Sequence, residues 1–174
     1  MSDEKFPAIN RLAPIETREG TKASYIIVAF LNEPKENFRA SEWPQHVTII
    51  RPFSTSQSTE ELVQKIEEVA SNHNALVLHG KARRLFGPLM NIRVTKMEDS
   101  PDLLSLYEDM QSALGSDIET IGKTFPFKAH ITDNTGTPVP PGTEIPLRTI
   151  SLVRIDGDNR SVLHTVPLRN QGVT

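Results

Sequence analysis

The chain of 174 residues is predicted to adopt a mostly antiparallel α+β fold, and two observations support this prediction. Strand-like and helix-like segments follow one another without the regular β–α–β alternation that a parallel sheet requires. A short histidine motif also occurs twice, about half the chain apart, each time near a helix and a pair of strands. The sequence therefore predicts a weak internal duplication rather than a repeat array.

The first third of the chain is predicted to contain an arm, a buried strand and a motif strand. Residues 1–22 are polar and irregular, so we expect a flexible N-terminal arm followed by a single domain over residues 23–174. Ala23–Leu31 contains a continuous apolar run, which is typical of a central strand. Asn32–Pro44 is expected to be a loop or short helix. The β-branched run His46–Ile50 then favours a strand.

Two helices and two strands are predicted next. The first helix begins at a cap formed by Ser58 or Thr59, and the second begins at Pro101 and ends before Gly115. Between them, Ala75–Leu85 and Leu89–Met97 are expected to form two strands joined by a Phe-Gly-Pro turn.

The last part of the chain is predicted to be a loop followed by a hairpin. The segment 134–142 is too rich in proline and glycine for regular structure, and we expect a loop beside the site. Ile145–Ile155 and Ser161–Leu168 are predicted to pair around the Asp-Gly-Asp-Asn turn at residues 156–159.

Composition excludes several classes of protein. Hydrophobic residues make up 37% and charged residues 24% of the chain, as in a soluble globular protein, and we expect a cytoplasmic monomer with no membrane partner. The absence of cysteine excludes disulfides, thiolate metal sites and a cysteine nucleophile. The net charge of −3 argues against a broad nucleic-acid-coating surface, so an RNA substrate would be held locally.

The repeated motif places a histidine and a threonine two residues apart on a strand. His46 and Thr48 form the first pair, and His130 and Thr132 form the second. Residues two apart on a strand share a face, so each imidazole has a hydroxyl beside it. Histidine serves as general base or general acid near neutral pH, and a hydroxyl can donate to a phosphate oxygen. This set of groups suits cleavage of a phosphodiester held between two strands.

These motifs, His46-Val-Thr-Ile and His130-Ile-Thr-Asp, resemble the paired His-x-Thr/Ser-x signatures of the 2H phosphoesterase superfamily. Their surroundings look most like the bacterial branch of 2′-5′ RNA ligases and cyclic phosphodiesterases. The resemblance implies a bilobal fold with two sheets related by a pseudo-twofold duplication around a cleft and helices on the outside. It also implies chemistry without metal or cofactor on 2′,3′-cyclic phosphates or 2′-5′ linkages of RNA ends or small nucleotides, reversible as ligation. The chain departs from the family at Asp133, where an apolar residue is usual, and an anion there is expected to weaken phosphate binding.

Four further residues are candidates for substrate binding. Lys128, Arg83 and Arg84 are expected to supply positive charge, with one arginine of the pair pointing inward. Phe53 is a candidate for stacking on a base, although core packing is the usual role of phenylalanine. Six further aromatic and histidine residues are interpreted mainly as structural: Trp43, His73, His79, Phe86, Phe127 and His164.

Three functional hypotheses follow from the sequence. The leading one is an RNA-processing phosphoesterase in which one of His46 and His130 is the base and the other the acid. The second is a catalytically inactive protein that binds nucleotides or RNA ends in the same cleft. The third, a metallohydrolase, is disfavoured because the motifs lack carboxylates and an evident third ligand.

Overall fold

The computed structural model describes residues 23–120, 127–134 and 136–170. The arm predicted for residues 1–22 lies outside these ranges. The described residues form ten strands and two α-helices, with these bounds: β1 Ala23–Phe30, β2 Asn37–Arg39, β3 His46–Thr55, α1 Thr59–Ala70, β4 Leu76–Phe86, β5 Ile92–Met97, α2 Pro101–Leu114, β6 Ile118–Thr120, β7 His130–Thr132, β8 Glu144–Leu147, β9 Thr149–Asp156 and β10 Asn159–Pro167.

The described strands form one continuous sheet in the order β2-β10-β9-β1-β3-β7-β5-β4-β8, with β6 paired to the end of β3. All the registered strand pairs are antiparallel. The α+β class is therefore confirmed, but the expectation of two separate sheets is wrong, because β3 and β7 pair at the centre and join the two halves. The pseudo-twofold duplication stays a prediction.

Both helices begin where the sequence predicts. The hydroxyl of Ser58 accepts the amide of Glu61, and the carboxylate of Glu61 accepts the amide of Ser58, which is a capping box. The hydroxyl of Ser100 caps α2 by accepting the amide of Leu103, and Pro101 occupies the first turn. The two helices pack against each other and bury one apolar stripe each, made up of Leu62, Ile66, Val69, Leu103, Leu106, Met110 and Leu114.

The sheet is covered by apolar residues on both faces, but unequally. On the helix face, a large core includes Val47, Ile49 and Ile131 from the motif strands. On the opposite face, a smaller core surrounds Val28 and Phe30 of β1. The motif strands are therefore buried on one side, and their other side is free to carry polar chemistry.

One predicted strand is divided in two. The segment Ile145–Ile155 was expected to be continuous, but it breaks at Arg148 into β8 and β9. β8 pairs with the start of β4 at the far edge of the sheet, and β9 pairs with β1 and β10 on the other side of the centre. The predicted hairpin turn is confirmed, since β9 ends at Asp156 and β10 begins at Asn159.

Within the described ranges, no helix is long and apolar enough to cross a membrane.

Candidate active site

The two motif strands lie side by side. β3 and β7 pair antiparallel with Val47 opposite Ile131, and both of these side chains are fully buried on the helix face. Alternation then directs the four motif residues to the opposite face. The antiparallel register continues on either side of this pair, so His46 lies beside Thr132 and Thr48 lies beside His130.

The two histidines are diagonal neighbours on this face. Such neighbours on adjacent strands are separated by about 7–8 Å, which leaves room for a phosphate between the two rings. His46 and His130 are also close enough that the charge of His130 affects the pKa of His46. All four motif residues are half-buried, so each keeps part of its surface accessible to solvent.

Each imidazole is fixed by the same local contact. Nδ1 of His46 lies 2.8 Å from the carbonyl oxygen of Pro44, and Nδ1 of His130 lies 2.9 Å from the carbonyl oxygen of Lys128. A carbonyl oxygen only accepts, so Nδ1 carries the hydrogen and donates it in both rings. Nε2 of each ring is thereby left for chemistry, with a lone pair when the ring is neutral and a proton when it is charged.

The surroundings of the two rings differ. The His46 ring lies 4.6 Å from the Trp43 ring and 6.0 Å from the Phe30 ring, whereas the His130 ring contacts Phe86 at 4.9 Å. Burial lowers the pKa of His46 below its ordinary value, and the charge of His130 lowers it further, against the raising effect of the Pro44 carbonyl. His46 is therefore held in its neutral form further into the acid range than a solvated histidine.

The two candidate arginines lie on opposite faces of the sheet. Arg84 is opposite Val94, and Val94 is in turn opposite Thr132, so Arg84 shares the face of the motif residues. Arg83 is opposite Thr95, which is opposite Ile131 on the helix face. The prediction of one inward arginine is thus resolved in favour of Arg84.

Arg83 is bound to Asp133 instead. Its two terminal nitrogens each lie 2.6 Å from an oxygen of the Asp133 carboxylate, and one also donates to the Thr95 hydroxyl at 2.9 Å. The hydrogen bonds from Arg83 lower the pKa of Asp133. The expectation that Asp133 places an anion against the phosphate is therefore corrected, because alternation puts its carboxylate on the other face and Arg83 neutralises it.

Asp133 also connects the end of β7 to its neighbours through its backbone. Its amide donates to the carbonyl of Arg93, and its carbonyl accepts from the side chain of Gln45 at 3.3 Å. Gln45 precedes His46 and also donates to the Thr137 carbonyl at 2.8 Å, so the loop after β7 lies beside the motif as expected. This network fixes Thr132 relative to His46.

Lys128 and Phe53, the two remaining candidates for substrate binding, lie in different environments. Lys128 is exposed, and its backbone carbonyl holds the His130 ring. Phe53 is 0% exposed and packs against Tyr25 in the core, with 5.9 Å between ring centroids. The expectation that Phe53 stacks on a base is therefore wrong, because the ring has no exposed face.

Lys96 is a residue of this face that sequence reasoning missed. It lies on β5 directly opposite His130 and is half-buried. The alternation of β5 shows that Val94 and Lys96 share a side, but only the β5–β7 register places them beside the second motif. Nothing in the sequence specifies that register.

No group of three or more histidine, aspartate or glutamate residues within the described part of the chain is arranged to hold a metal ion. The three other histidines each face a single carboxylate, away from the motif. These pairs are His73 with Asp109, His79 with Glu144 and His164 with Glu67.

Comparison with known proteins identifies the family. A model of the 2′-5′ RNA ligase superfamily matches residues 26–137, a range that includes both motifs. A protein of Bacillus anthracis that carries the provisional name phosphoesterase is 32% identical over 94 residues, which cover 53% of this chain and 52% of that protein. A Bacillus cereus protein with the same provisional name is 31% identical over the same length. The match thus spans about half the length of these curated relatives.

Solved structures share the fold. TT0787 of Thermus thermophilus superposes with a TM-score of 0.59 at 19% identity, covering 85% of this chain and 99% of that one. LigT of Escherichia coli, crystallised with 3′-AMP, gives a TM-score of 0.53 at 16% identity, covering 86% and 99%. The match to the family model, together with two motifs on one face of the sheet, shows that this chain belongs to the 2′-5′ RNA ligase superfamily and confirms its resemblance to the 2H phosphoesterases.

Proposed function

We propose that the protein is a phosphoesterase that acts on 2′,3′-cyclic phosphates or 2′-5′ linkages at RNA ends or on small nucleotides. One observation carries the proposal: His46, Thr48, His130 and Thr132 share one open face, and both imidazoles keep Nε2 free because Nδ1 is bound to the backbone. Family membership and the 3′-AMP complex of the structural neighbour LigT support a nucleotide phosphate as the group bound.

We assign His46 as the general base in hydrolysis because burial lowers its pKa and favours its neutral form. A neutral His46 offers its Nε2 lone pair as general base and takes a proton from the attacking water. The new bond forms between water oxygen and phosphorus, and the bond from phosphorus to one ribose oxygen breaks. His130 then gives its Nε2 proton to that leaving oxygen. In ligation a 5′-hydroxyl takes the place of water: it gives its proton to His46, its oxygen bonds to phosphorus, and His130 protonates the released 3′ oxygen, which leaves a 2′-5′ linkage. The two histidines exchange roles when the 3′-hydroxyl attacks and this linkage is cleaved.

The hydroxyls and cations of the site have a different task. Thr48 and Thr132 are the residues beside the rings, and we assign them to the non-bridging phosphate oxygens, where negative charge develops. Lys96 and the exposed Lys128 supply positive charge around the same anion, and the exposed Arg84 adds positive charge one strand beyond Lys96. The proposal requires no cofactor, since proton transfer and hydrogen bonding supply the chemistry.

Phosphorus NMR of the products tests the proposal. The protein, incubated with adenosine 2′,3′-cyclic phosphate in the presence of a chelator, should convert it to a single nucleoside monophosphate. His46→Ala and His130→Ala should each slow the reaction by about 10²–10⁴-fold, the usual contribution of a general acid or base. Binding without any product would instead support the inactive nucleotide-binding protein, and near-normal turnover in both variants would exclude the mechanism.

A further inference from the structure

A row of cations continues from the motif residues across the sheet. We call the face of the sheet that carries the two histidines and two threonines of the motifs the motif face. On this face, the register places Lys96 opposite His130. It also places Arg84 opposite Val94, which is opposite Thr132. Two cross-strand rows result, with Lys96 one strand away from His130 and Arg84 two strands away from Thr132. Neighbouring strands are about 4.8 Å apart, so Arg84 begins roughly 10 Å from Thr132 at the level of the backbone.

This spacing gives the two cations different targets. Lys96 is adjacent to His130 and therefore borders the phosphate that the histidines act on. Arg84 lies one further strand away and is exposed to solvent. A substrate that has only the reacting phosphate has no anionic group near Arg84. A substrate that has a second phosphate can bind that phosphate through the Arg84 side chain.

Both cations are available to an anion. In the described part of the chain, neither Lys96 nor Arg84 forms an ion pair, and the one hydrogen bond of the Arg84 guanidinium there goes to the Arg83 carbonyl at 3.0 Å. The neighbouring Arg83, in contrast, is neutralised by Asp133. The motif face thus carries two cations that have no ion pair among the described residues, in a protein whose net charge is −3.

The same strand face also carries an aromatic ring. Phe86 follows Arg84 by two residues, contacts the His130 ring, and lies opposite Ile92, which is 43% exposed. Cations alternating with aromatic and apolar side chains are typical of surfaces that bind single-stranded nucleic acid. The arm formed by β4 and β5 carries this combination of side chains on the motif face.

We propose that the β4–β5 arm binds a second phosphate, attached to the 5′ oxygen of the ribose that carries the reacting phosphate, and that Arg84 is its ligand. This inference rests on the proposed function and narrows the substrate class from free nucleosides with a cyclic phosphate to molecules with a phosphate on each side of the ribose. An RNA 3′ end meets this description, and so does a nucleotide with a 5′-phosphate.

Three substrates test the proposal: adenosine 2′,3′-cyclic phosphate, the same compound with a 5′-phosphate, and a dinucleotide that ends in a 2′,3′-cyclic phosphate. We expect kcat/KM to be about tenfold higher or more for the dinucleotide than for the first compound. A gain with the dinucleotide alone identifies an RNA chain as the source of the second phosphate. A gain with both larger substrates shows that any 5′-phosphate suffices.

Arg84→Gln should bring the ratio of kcat/KM for the dinucleotide to kcat/KM for adenosine 2′,3′-cyclic phosphate close to one. It should also flatten the salt dependence of the dinucleotide reaction, because one phosphate contact contributes about 0.7 to the slope of log K against log salt for single strands. Lys81→Gln is the matched control, since Lys81 is exposed on the same strand and lies at the register shift between Gly80 and Ala82, outside the row that joins Arg84 to Thr132. This control should keep both the ratio and the slope.

The outcomes distinguish a failure of the second-phosphate site from a failure of the proposed phosphoesterase activity. If the wild type cleaves all three substrates with equal kcat/KM, or if Arg84→Gln and Lys81→Gln change the ratio equally, the second-phosphate site is refuted and the phosphoesterase stands. If the wild type cleaves none of the three, the proposed function itself fails.

Discussion

The two halves of the motif face hold the same groups in different ways. In the first half, His46 lies on a ten-residue strand paired with β1, β6 and β7, and its ring is enclosed by Trp43 and Phe30. In the second half, His130 begins a strand of only three residues and, among the described residues, its ring contacts one aromatic ring, that of Phe86. The first half is thus held by burial, and the second depends on the hydrogen bonds of Asp133. The same backbone contact at Nδ1 gives both rings the same tautomer, and we propose that the difference in their surroundings separates their roles.

The largest expected effect comes from removing the rings themselves. His46→Gln and His130→Gln should each lower kcat by about 10²–10⁴-fold, because each removes one proton transfer. If the two rings act as one unit on one phosphate, the double variant should be little worse than either single variant. The measurement is kcat for cyclic phosphate hydrolysis in the four proteins.

Strict multiplication of the two single effects would contradict a shared phosphate. Circular dichroism of each variant controls for unfolding, and His73→Gln serves as a matched substitution, since His73 pairs with Asp109 outside the site.

The next largest effect should come from loosening the second half. Asp133→Ala removes the partner of Arg83 and the side-chain bond that fixes the end of β7. We expect kcat to fall by about tenfold to a hundredfold through misplacement of Thr132 and His130. We also expect the free energy of unfolding to fall by about 1–2 kcal/mol, since the Arg83 side chain is 33% exposed and the pair is partly screened. Kinetics and urea unfolding measure both.

A second arginine–aspartate pair provides the control. Asp158→Ala breaks the exposed pair with Arg39 at the edge of the sheet and should leave kcat unchanged. Glutamate at position 133 should restore part of kcat if Asp133 acts by positioning. Equal kinetic effects of Asp133→Ala and Asp158→Ala would show that Asp133 has no special connection to the site.

A smaller effect should appear in the pKa of His46. Trp43→Ala admits water to the ring, so the pKa of His46 should rise toward the ordinary value of about 6.5. Phe86→Ala, on the other half, should leave the pKa of His46 in place. NMR titration of the histidine ring protons measures this shift, and equal responses to the two substitutions would remove the distinction between the halves.

The smallest effect concerns stability. Because the pKa of folded His46 is lower than that of the unfolded residue, the unfolded state binds more protons between the folded pKa and about 6.5. Stability should therefore decrease as the pH falls from about 6.5 toward the folded pKa. Urea unfolding at pH 7.5 and 5.5 should show a smaller decrease in His46→Gln than in the wild type, and identical decreases would contradict the burial of this ring.

Much of this site could be predicted from the sequence because its determinants are local. The β-branched run at His46–Ile50 specifies a strand, and alternation alone puts His46 and Thr48 on one face. Phe53 is buried on the other face, but this does not follow from alternation, because β3 shifts register against β1 twice between Thr48 and Phe53. The cap at Ser58 and the turn after Asp156 also depend on neighbouring residues only.

What could not be predicted depends on pairing between distant strands. The break at Arg148 is visible only when β8 pairs with β4 and β9 with β1. The selection of Arg84 over Arg83, and the position of Lys96, follow from the β4–β5–β7 register. From the sequence, the negative charge of Asp133 is expected to weaken phosphate binding. Only the structure shows that Arg83 lies within hydrogen-bonding distance and neutralises this charge.

The central claim is that both imidazoles serve one phosphate on one face of the sheet. Nitrogen NMR of the protein with ¹⁵N-labelled histidine, titrated with adenosine 2′-monophosphate, tests this most directly. We predict that Nε2 of His46 and Nε2 of His130 shift together with a single binding curve, while the signals of the other three histidines stay in place. A shift of only one of the two rings, or separate binding curves for the two, would contradict the claim.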